Sequence, residues 1–509
     1  MAAFLNGIMK AYLRKRFKRI ETIRHQSEQL QEAILQGLLS RGRKTNFGKI
    51  HQFDAIGSRS DFIQQVPIQE YEAFVPHVEK MMKGHADELW PGVVKWYAKS
   101  SGTTSNQSKF LPISKEMLRK NLVPSGWDAL SVYYQERPDA QLFSEKSLIY
   151  GGSLYPFSET TQSMYGDVSA IMIDHIPKVA KPFCVPEQSI ALEADWEKKI
   201  ATMARNIIHE NVAMMSGVPT WNVVLFNHLL EETGCRHIHE IWPDLSLYLH
   251  GGVNFEPYKE QFNEFLPNDM DYLEVYNASE GYFGLRDQIG RDDMLLLTDN
   301  GVYYEFVPLG ELNSPSPKAL SLKEIEVEES YAIVVSTYAG LWRYMIGDTI
   351  QFTSKSPYRI RICGRIKQHI NVFGEELMIS NAESALSQAC LQTNATVCEF
   401  TVAPIFLNKL EKGGHEWLVE FRKEPTSLYD FSKYLDQHLQ LVNHDYAAKR
   451  YKNLVLQLPT VTAVPKGSFH RWMKSKGKLG GQHKVPRLSS TRNLIEEIMR
   501  YVFESNVYV

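Results

Sequence analysis

The sequence predicts an α/β protein in two parts: a large N-terminal domain of mixed β-sheets flanked by helices, and a smaller C-terminal α+β domain. Three observations carry this. A chain of 509 residues is too long for one ordinary core. Helical apolar spacing alternates with short buried strand-like runs until about residue 360. Past about Arg365 the order becomes helix, strand, strand, helix, strand, as in a ferredoxin-like unit. The boundary falls within Tyr358–Lys367, which gives domains 1–364 and 365–509.

Composition narrows the function classes. Apolar residues make up 43% of the chain and charged residues 23%, the balance of a soluble globular protein. The formal net charge of −3 offers no global electrostatic case for a nucleic-acid partner. The five cysteines (Cys184, Cys235, Cys363, Cys390 and Cys398) are scattered and lack CxxC spacing. A disulfide frame or zinc knuckle is therefore not expected, and a reducing cytoplasm is. No apolar run reaches the ~18 residues of a spanning helix.

The elements follow in order. "MAAFLNGIMKAYLRKRFKRIETIRH" places its cations (Lys10, Arg14, Lys15, Arg16, Lys18, Arg19) after the apolar start, the reverse of a secretory signal. It reads as a solvated helix packed on the body, with a membrane-surface helix as the alternative. Helical patterns cover the first ~90 residues and again Asp195–Glu232. "VVKWYA" reads as a strand, and "WDALSVYYQ" (Trp127–Gln135) as helix core or as the lining of an acyl pocket. "LSLYLHGGV", "YLEVYNAS", "GVYYEFVPL" and "YAIVVSTYA" read as strands. In the C-terminal part, Ser380 and Glu383 are spaced as a capping box at the start of a helix. "TVCEFTVAPIF", "HEWLVEFRK" and "NLVLQLPTV" read as strands, and "SLYDFSKYLDQHL" aligns Leu428, Phe431, Leu435 and Leu439 on one helical face.

Four stretches bear chemistry. "KSSGTTSNQSKFLPIS" follows the first strand. A Walker loop would need glycine and lysine where Gln107 and Ser108 stand, and a Rossmann fingerprint would need more glycines than Gly102. What remains is a loop of hydroxyls, backbone N–H groups and the cation of Lys109, able to cradle phosphate oxygens; a solvated loop is the ordinary alternative. In "YNASEGYFG", Glu280 follows a strand and could hold magnesium or cap a helix. In "WRYMIGDTI", Asp348 lies after Gly347 between two strands and could accept from ribose hydroxyls or simply complete a turn. "ICGRIKQHINVFGEEL" puts Arg365 and Lys367 at the domain junction, or on a basic hairpin edge. "CRHIHE" offers Cys235, His237 and His239 at alternate positions but no fourth ligand for zinc.

Taken in order, SSGTT…K, YNASEG, YxxGD and GRxKxxIxxxGEEL resemble the adenylate-forming superfamily. "HEIWPDLSLYLHGGVNFEPYKEQF", "STYAGLWRYMIGDTIQFT" and "SKGKLGGQHKVPR" narrow the resemblance to the auxin-responsive Gretchen Hagen family of acyl-acid amido synthetases, in its bacterial-type branch. The resemblance spans about residues 30 to 490. It implies that Ser100, Ser101, Gly102, Thr103 and Thr104 hold the ATP phosphates. Gly251 and Gly252 would let backbone approach the purine, because glycine carries no Cβ. Tyr276 would stack on adenine, within a nucleotide site that includes Asn277 and Ser279. Glu280 would ligate Mg2+, Asp348 would bind ribose, Arg365 and Lys367 would flank the hinge, and Lys484 would be the C-terminal lysine that swings into the site. The loop departs from the family pattern in one respect: Ser105, Asn106 and Gln107 stand where glycine or alanine is common.

The resemblance implies an ATP- and Mg2+-dependent ligase. A carboxylic acid becomes an acyl-adenylate, and an amino acid amine then takes the acyl group and releases AMP. No side-chain nucleophile is required, in keeping with the absence of a GxSxG elbow. The alternatives are coenzyme A as acceptor, or an acyl-acid-binding relative without catalysis. Small-molecule acid and amino acid are the expected partners.

Overall fold

The structure is a computed structural model. It describes residues 2–504 except 101–108, 159, 253–254, 256–257, 313, 315, 367–368, 371, 373–374, 376, 407–412, 444–445, 448–449, 451–455, 478–483 and 490. The chain divides into two compact units: Met1–Ile346 with Ile350–Arg361, and Gly347–Thr349 with Ile362–Val509.

The first unit is built on a large sheet of eleven strands. Five of them are parallel neighbours: Cys184–Val185, Lys146–Leu148, Val212–Gly217, Leu247–Gly251 and Asp271–Ala278. Beyond these the sheet turns antiparallel at the hairpin formed by Asp271–Ala278 and Gly281–Leu285, so the sheet is mixed, as the sequence predicts. A smaller four-stranded sheet joins Lys109–Ile113, Trp96–Ser100, Ser163–Gly166 and Leu154–Ser158.

The parallel part explains one departure from the sequence reading. Asp195–Glu232 is not continuous helix. Helices Trp196–Ile207 and Pro219–Thr233 flank the strand Val212–Gly217. "VAMM" is buried throughout, and a strand covered on both faces shows no alternation to set it apart from a buried helix.

The N-terminal helix runs from Ala2 to Gly42, with non-helical backbone at Gln26. Leu13, Ile20, Ile23, Leu35, Leu38 and Leu39 are buried along it. Three of its cations meet partners on the body. Arg16 lies 2.7 Å from Asp128, Arg19 pairs with Asp128 and with Asp299 at 2.6 Å, and Arg24 pairs with Asp287 at 2.7 Å. These pairs favour the packed-helix reading, because they neutralise the inward-facing part of the basic run. The aromatic stretch Trp127–Gln135 belongs to the helix Val123–Glu136. Its Leu130, Tyr133 and Tyr134 pack in a core with Leu13, Leu142 and Phe143.

The second unit holds a sheet in the order Thr396–Ile405, Gly414–Lys423, Thr460–Val464, the first pair antiparallel and the second parallel. The strand Gly414–Lys423 alternates between two cores. Trp417, Val419 and Phe421 face helices Ile379–Thr393 and Leu428–Val442, while Leu418 faces helices Ser468–Ser475 and Asn493–Glu504. Period-two alternation thus serves two layers, and the second helix pair is an addition to the ferredoxin-like expectation. One boundary also shifts. The helix starts at Ile379, and the Asn381 side chain rather than that of Glu383 accepts the Met378 N–H at 3.0 Å. The last described strand is Thr460–Val464; residues 453–455 of "NLVLQLPTV" lie outside the described residues, and Leu456 makes an isolated bridge to Gly413.

Candidate active site

In sheets of this kind ligands bind beyond the carboxyl ends of parallel strands. Here those ends carry Gly151 and Gly152, Gly217, Gly251 and Gly252, and the Ser279–Glu280 turn. Gly251 stands opposite Val275 on the next strand. A Cβ at Gly251 would lie 2.4 Å from the Val275 carbonyl oxygen, so no other residue fits this close strand approach. Gly252 then takes a φ of +80°, a left-handed geometry that suits glycine.

The YNASEG stretch is a tight hairpin. Ala278 pairs with Gly281, which leaves Ser279 and Glu280 as a two-residue loop. Both are buried, Glu280 at 6% exposure. Tyr276 is buried as well, its ring edge-on to Phe283 with centroids 5.1 Å apart. The Asn277 amide donates to the Met172 sulfur at 3.4 Å, while its Oδ1 is a buried acceptor without a hydrogen-bond partner among the described residues.

A residue that the sequence reading missed locks this hairpin. Asn121 lies on the wide helical turn Leu118–Leu122 and is fully buried. Its Oδ1 accepts from the Tyr282 N–H at 2.7 Å and its Nδ2 donates to the Tyr282 carbonyl at 3.0 Å. One amide thereby does the work of a neighbouring strand just after Glu280. No local pattern could have revealed it, because its partner is 161 positions away.

Two other buried groups line the same edge. Lys199 donates to the carbonyls of Gly151 at 2.8 Å and Gly152 at 3.0 Å. Burial pushes its ammonium down to about 8, against the opposing pull of Asp167 and Glu193. His250, opposite Glu274 in the strand register, is 1% exposed and stacks on Phe255 at 4.4 Å. Burial, with the nearby Arg286 cation, pushes its ring down to about 3, so it is neutral.

Of the phosphate loop, Ser101, Gly102, Thr103 and Thr104 lie outside the described residues, as does Lys367. The strands that frame the loop are clear: Ser100 pairs with Lys109 at its mouth. The Lys109 ammonium lies 3.3 Å from the Tyr344 hydroxyl and over the Tyr71 and Tyr344 rings. "CRHIHE" is not a strand; Ile238–Glu240 is a short helical turn and His239 Nε2 contacts the Leu245 carbonyl at 3.1 Å. No cluster of three or more metal-binding side chains occurs among the described residues.

The second unit gathers a separate set of charges. Asp348 is not in a turn between strands but inside the long strand Tyr344–Lys355. Gly347, at φ +94°, bends the backbone there without ending the strand. Arg365 Nε reaches the buried Asp348 carboxylate at 2.9 Å, and the Ile366 N–H donates to the Gly347 carbonyl at 2.8 Å. Lys484 lies within electrostatic reach of this pair. Enclosure by protein, then the Arg365 cation, lowers its ammonium below the ordinary lysine value; Asp348 opposes and Arg487 adds to the lowering. Lys484 keeps contact with solvent, which moderates the effect of enclosure. The surrounding charges lower the ammonium as well, because two guanidiniums outweigh one carboxylate.

Family profiles match nearly the whole chain: the GH3 family N-terminal domain over residues 16–270, the central domain over 295–365 and the C-terminal domain over 380–493. This chain belongs to the GH3 family. Among GH3 relatives, the indole-3-acetic acid-amido synthetase GH3.3 of Arabidopsis thaliana is 21% identical, over 95% of this chain and 93% of its own. The jasmonoyl–L-amino acid synthetase JAR6 of Nicotiana attenuata is 22% identical, over 97% of each chain. The solved GH3.15 acyl acid amido synthetase has the same fold, with a TM-score of 0.77 at 16% identity over 96% of both chains. A 2-hydroxyisobutyryl-CoA ligase in its postadenylation state shares the fold at a TM-score of 0.59 and 12% identity, over 93% of this chain and 91% of its own.

The residues of this GH3 chain fit a nucleotide and its metal. The buried Asn277 Oδ1, without a hydrogen-bond partner among the described residues, is the kind of acceptor an exocyclic amine needs. A buried carboxylate such as that of Glu280 fits Mg2+, which takes one or two protein carboxylates and completes its shell with phosphates and water.

Proposed function

We propose that this protein is an ATP-dependent acyl-acid amido synthetase, which activates a carboxylic acid as its acyl-adenylate and passes the acyl group to an amino acid. The observation that most favours this reading is the gathering of Gly251, Asn277 and the Ser279–Glu280 turn at one carboxyl edge of the parallel strands, in a chain of the GH3 family. Ser100 and the loop Ser101, Gly102, Thr103 and Thr104 bind the ATP phosphates, and Gly251, Gly252, Tyr276 and Asn277 bind the purine. Ser279 supports the turn and Glu280 holds Mg2+. When bound, Mg2+ offsets charge on the phosphates as pyrophosphate leaves. Asp348 accepts from the ribose hydroxyls, Arg365 and Lys367 orient the hinge, and Lys484 supplies a mobile positive charge to the adenylation half. No residue serves as a covalent nucleophile, so positioning and electrostatics carry the rate.

The spelling of its motifs supports a place in the bacterial-type branch of the family. Five free cysteines support a reducing compartment, the cytoplasm, as the site of action. Among the described residues no helix is long and apolar enough to cross a membrane.

The test is a matrix of carboxylic acids and amino acids incubated with purified protein, ATP and Mg2+. AMP release that depends on both substrates, with the conjugate identified by mass spectrometry, is the expected result. A thioester formed with coenzyme A at a comparable rate would move the protein to the acyl-CoA ligase reading. Binding of acids with no AMP release from any pair would leave an acyl-acid-binding relative.

A further inference from the structure

The segment that carries Lys484 is stitched to the edge of the strand Thr396–Ile405. The Val402 N–H donates to the Arg487 carbonyl at 2.8 Å, and the Ser489 N–H donates to the Val402 carbonyl at 3.0 Å. The Thr401 hydroxyl donates to the Pro486 carbonyl at 2.7 Å, and the Val485 side chain is buried in the core of the second helix layer. Leu488 thus pairs with Val402 in an isolated parallel bridge, and residues 485–489 run along the strand edge. Lys484 is the first residue before this run, where the chain leaves the sheet.

The Arg487 side chain supplies the one charged anchor seen in this stitch. Its guanidinium pairs with the Glu399 carboxylate and lies over the Phe400 ring, 4.5 Å from the centroid. Glu399 also accepts the Phe400 N–H at 3.1 Å, which fixes the carboxylate against its own strand. Both side chains are largely covered, at 14% and 21% exposure. The fork geometry and the flat stacking surface are properties of arginine that lysine does not share.

We propose that Arg487 is a positioning residue for Lys484. Through Glu399 and Phe400 it sets where the chain leaves the sheet, and hence where the Lys484 ammonium can reach. Charge adds to position. The charged groups around Lys484 are Arg365 and Asp348 from the strands Tyr344–Lys355 and Tyr358–Arg365, and Arg487 from its own segment, with Glu399 behind Arg487. Arg487 repels the ammonium, and Glu399 offsets part of that repulsion. The inference rests on the adenylation role given to Lys484 above.

Three full-length variants test it. Arg487→Met keeps the stem over Phe400 and removes the charge. Arg487→Lys keeps the charge and removes the fork. Glu399→Gln keeps the volume and removes the counter-ion. Each is measured in both half-reactions: ATP–pyrophosphate exchange with an accepted acid, and amide formation from a presynthesised acyl-adenylate. The titration of Lys484 is followed separately by NMR of the reductively 13C-methylated protein, with the signal assigned by its loss in Lys484→Ala.

All three variants should lose adenylation by at least about tenfold, as small misplacements of reacting groups do, and retain the aminolysis half. In Arg487→Met the Lys484 titration should move to higher pH, because a neighbouring positive charge is gone; in Arg487→Lys it should move less. Wild-type adenylation in Arg487→Met and Arg487→Lys would overturn the proposal, as would equal loss of both half-reactions. A fully active Lys484→Ala would overturn the role of Lys484 itself. The titration shift in Arg487→Met would then still report whether the two residues are coupled, so the two failures are distinguishable.

Discussion

Asn121→Ala isolates the device that holds the Glu280 hairpin. The substitution removes two buried hydrogen bonds, to the N–H and the carbonyl of Tyr282. The carbonyl keeps a second donor, Asn300 Nδ2 at 2.6 Å, so it is not left bare. Among the described residues no other side chain accepts the N–H, and Tyr282 is 3% exposed, so water does not replace the lost acceptor. Two net hydrogen bonds at ~1 kcal/mol each, together with ~1–3 kcal/mol for an orphaned donor, sum to ~3–5 kcal/mol. Relaxation around the vacated amide brings the expected loss to ~2–4 kcal/mol. Urea unfolding followed by tryptophan fluorescence measures it, with attention to a separate transition of the second unit. A looser hairpin should also lower turnover more than it weakens binding of the acid, because Glu280 sits only two positions before Tyr282, the residue that the amide holds. Asn121→Asp is the companion: it keeps the acceptor and turns the donor into an acceptor facing a carbonyl, so it should be no better than alanine. If Asn121→Ala stays within ~0.5 kcal/mol of wild type and keeps its turnover, the hairpin does not depend on this amide.

Three further outcomes are expected. Asp348→Ala should weaken ATP binding at least about tenfold, since even one lost hydrogen bond to a charged acceptor is worth ~1.5 kcal/mol or more; isothermal titration with a non-hydrolysable ATP analogue checks it, and unchanged affinity rejects the ribose role. Lys484→Ala should cut acyl-adenylate formation by about two orders of magnitude or more, as loss of a charge aimed at the developing phosphate charge does, and largely spare amide formation from the presynthesised adenylate; equal losses in both halves reject that role. His250 gives a pH prediction. Burial holds its folded-state ring at about 3, below the ordinary 6.5, so the unfolded chain takes up a proton that the folded chain does not. Its contribution is complete above about pH 6.5 and is lost progressively as pH falls toward 3. Melting temperatures of wild type and His250→Phe should therefore converge near neutrality and separate on acidification in favour of the variant; parallel curves across that range would show that His250 does not titrate as its burial demands.

The sequence by itself determined the elements whose signal is local. Apolar alternation marked "LYLHG", "YLEVYNA" and "VYYEFVP" as strands, because each shows a period or a β-rich run within a few residues. Motif order along the chain was enough to name the family. What only the tertiary structure decided is everything that depends on which distant residues meet. Val212–Gly217 was hidden among helices because burial on both faces erases periodicity. Gly347 and Asp348 read as a turn, since a glycine–aspartate pair has turn chemistry; pairing with neighbouring strands keeps them in a strand, and the positive φ of Gly347 only bends it. Asn121, Lys199 and Arg487 carry no motif at all. Their parts come from a backbone amide 161 positions away, from two glycine carbonyls at a strand end, and from Glu399 on a sheet edge. Hydrogen bonds and ion pairs of this kind act over a few ångströms of space whatever the distance along the chain, so no window of sequence contains them.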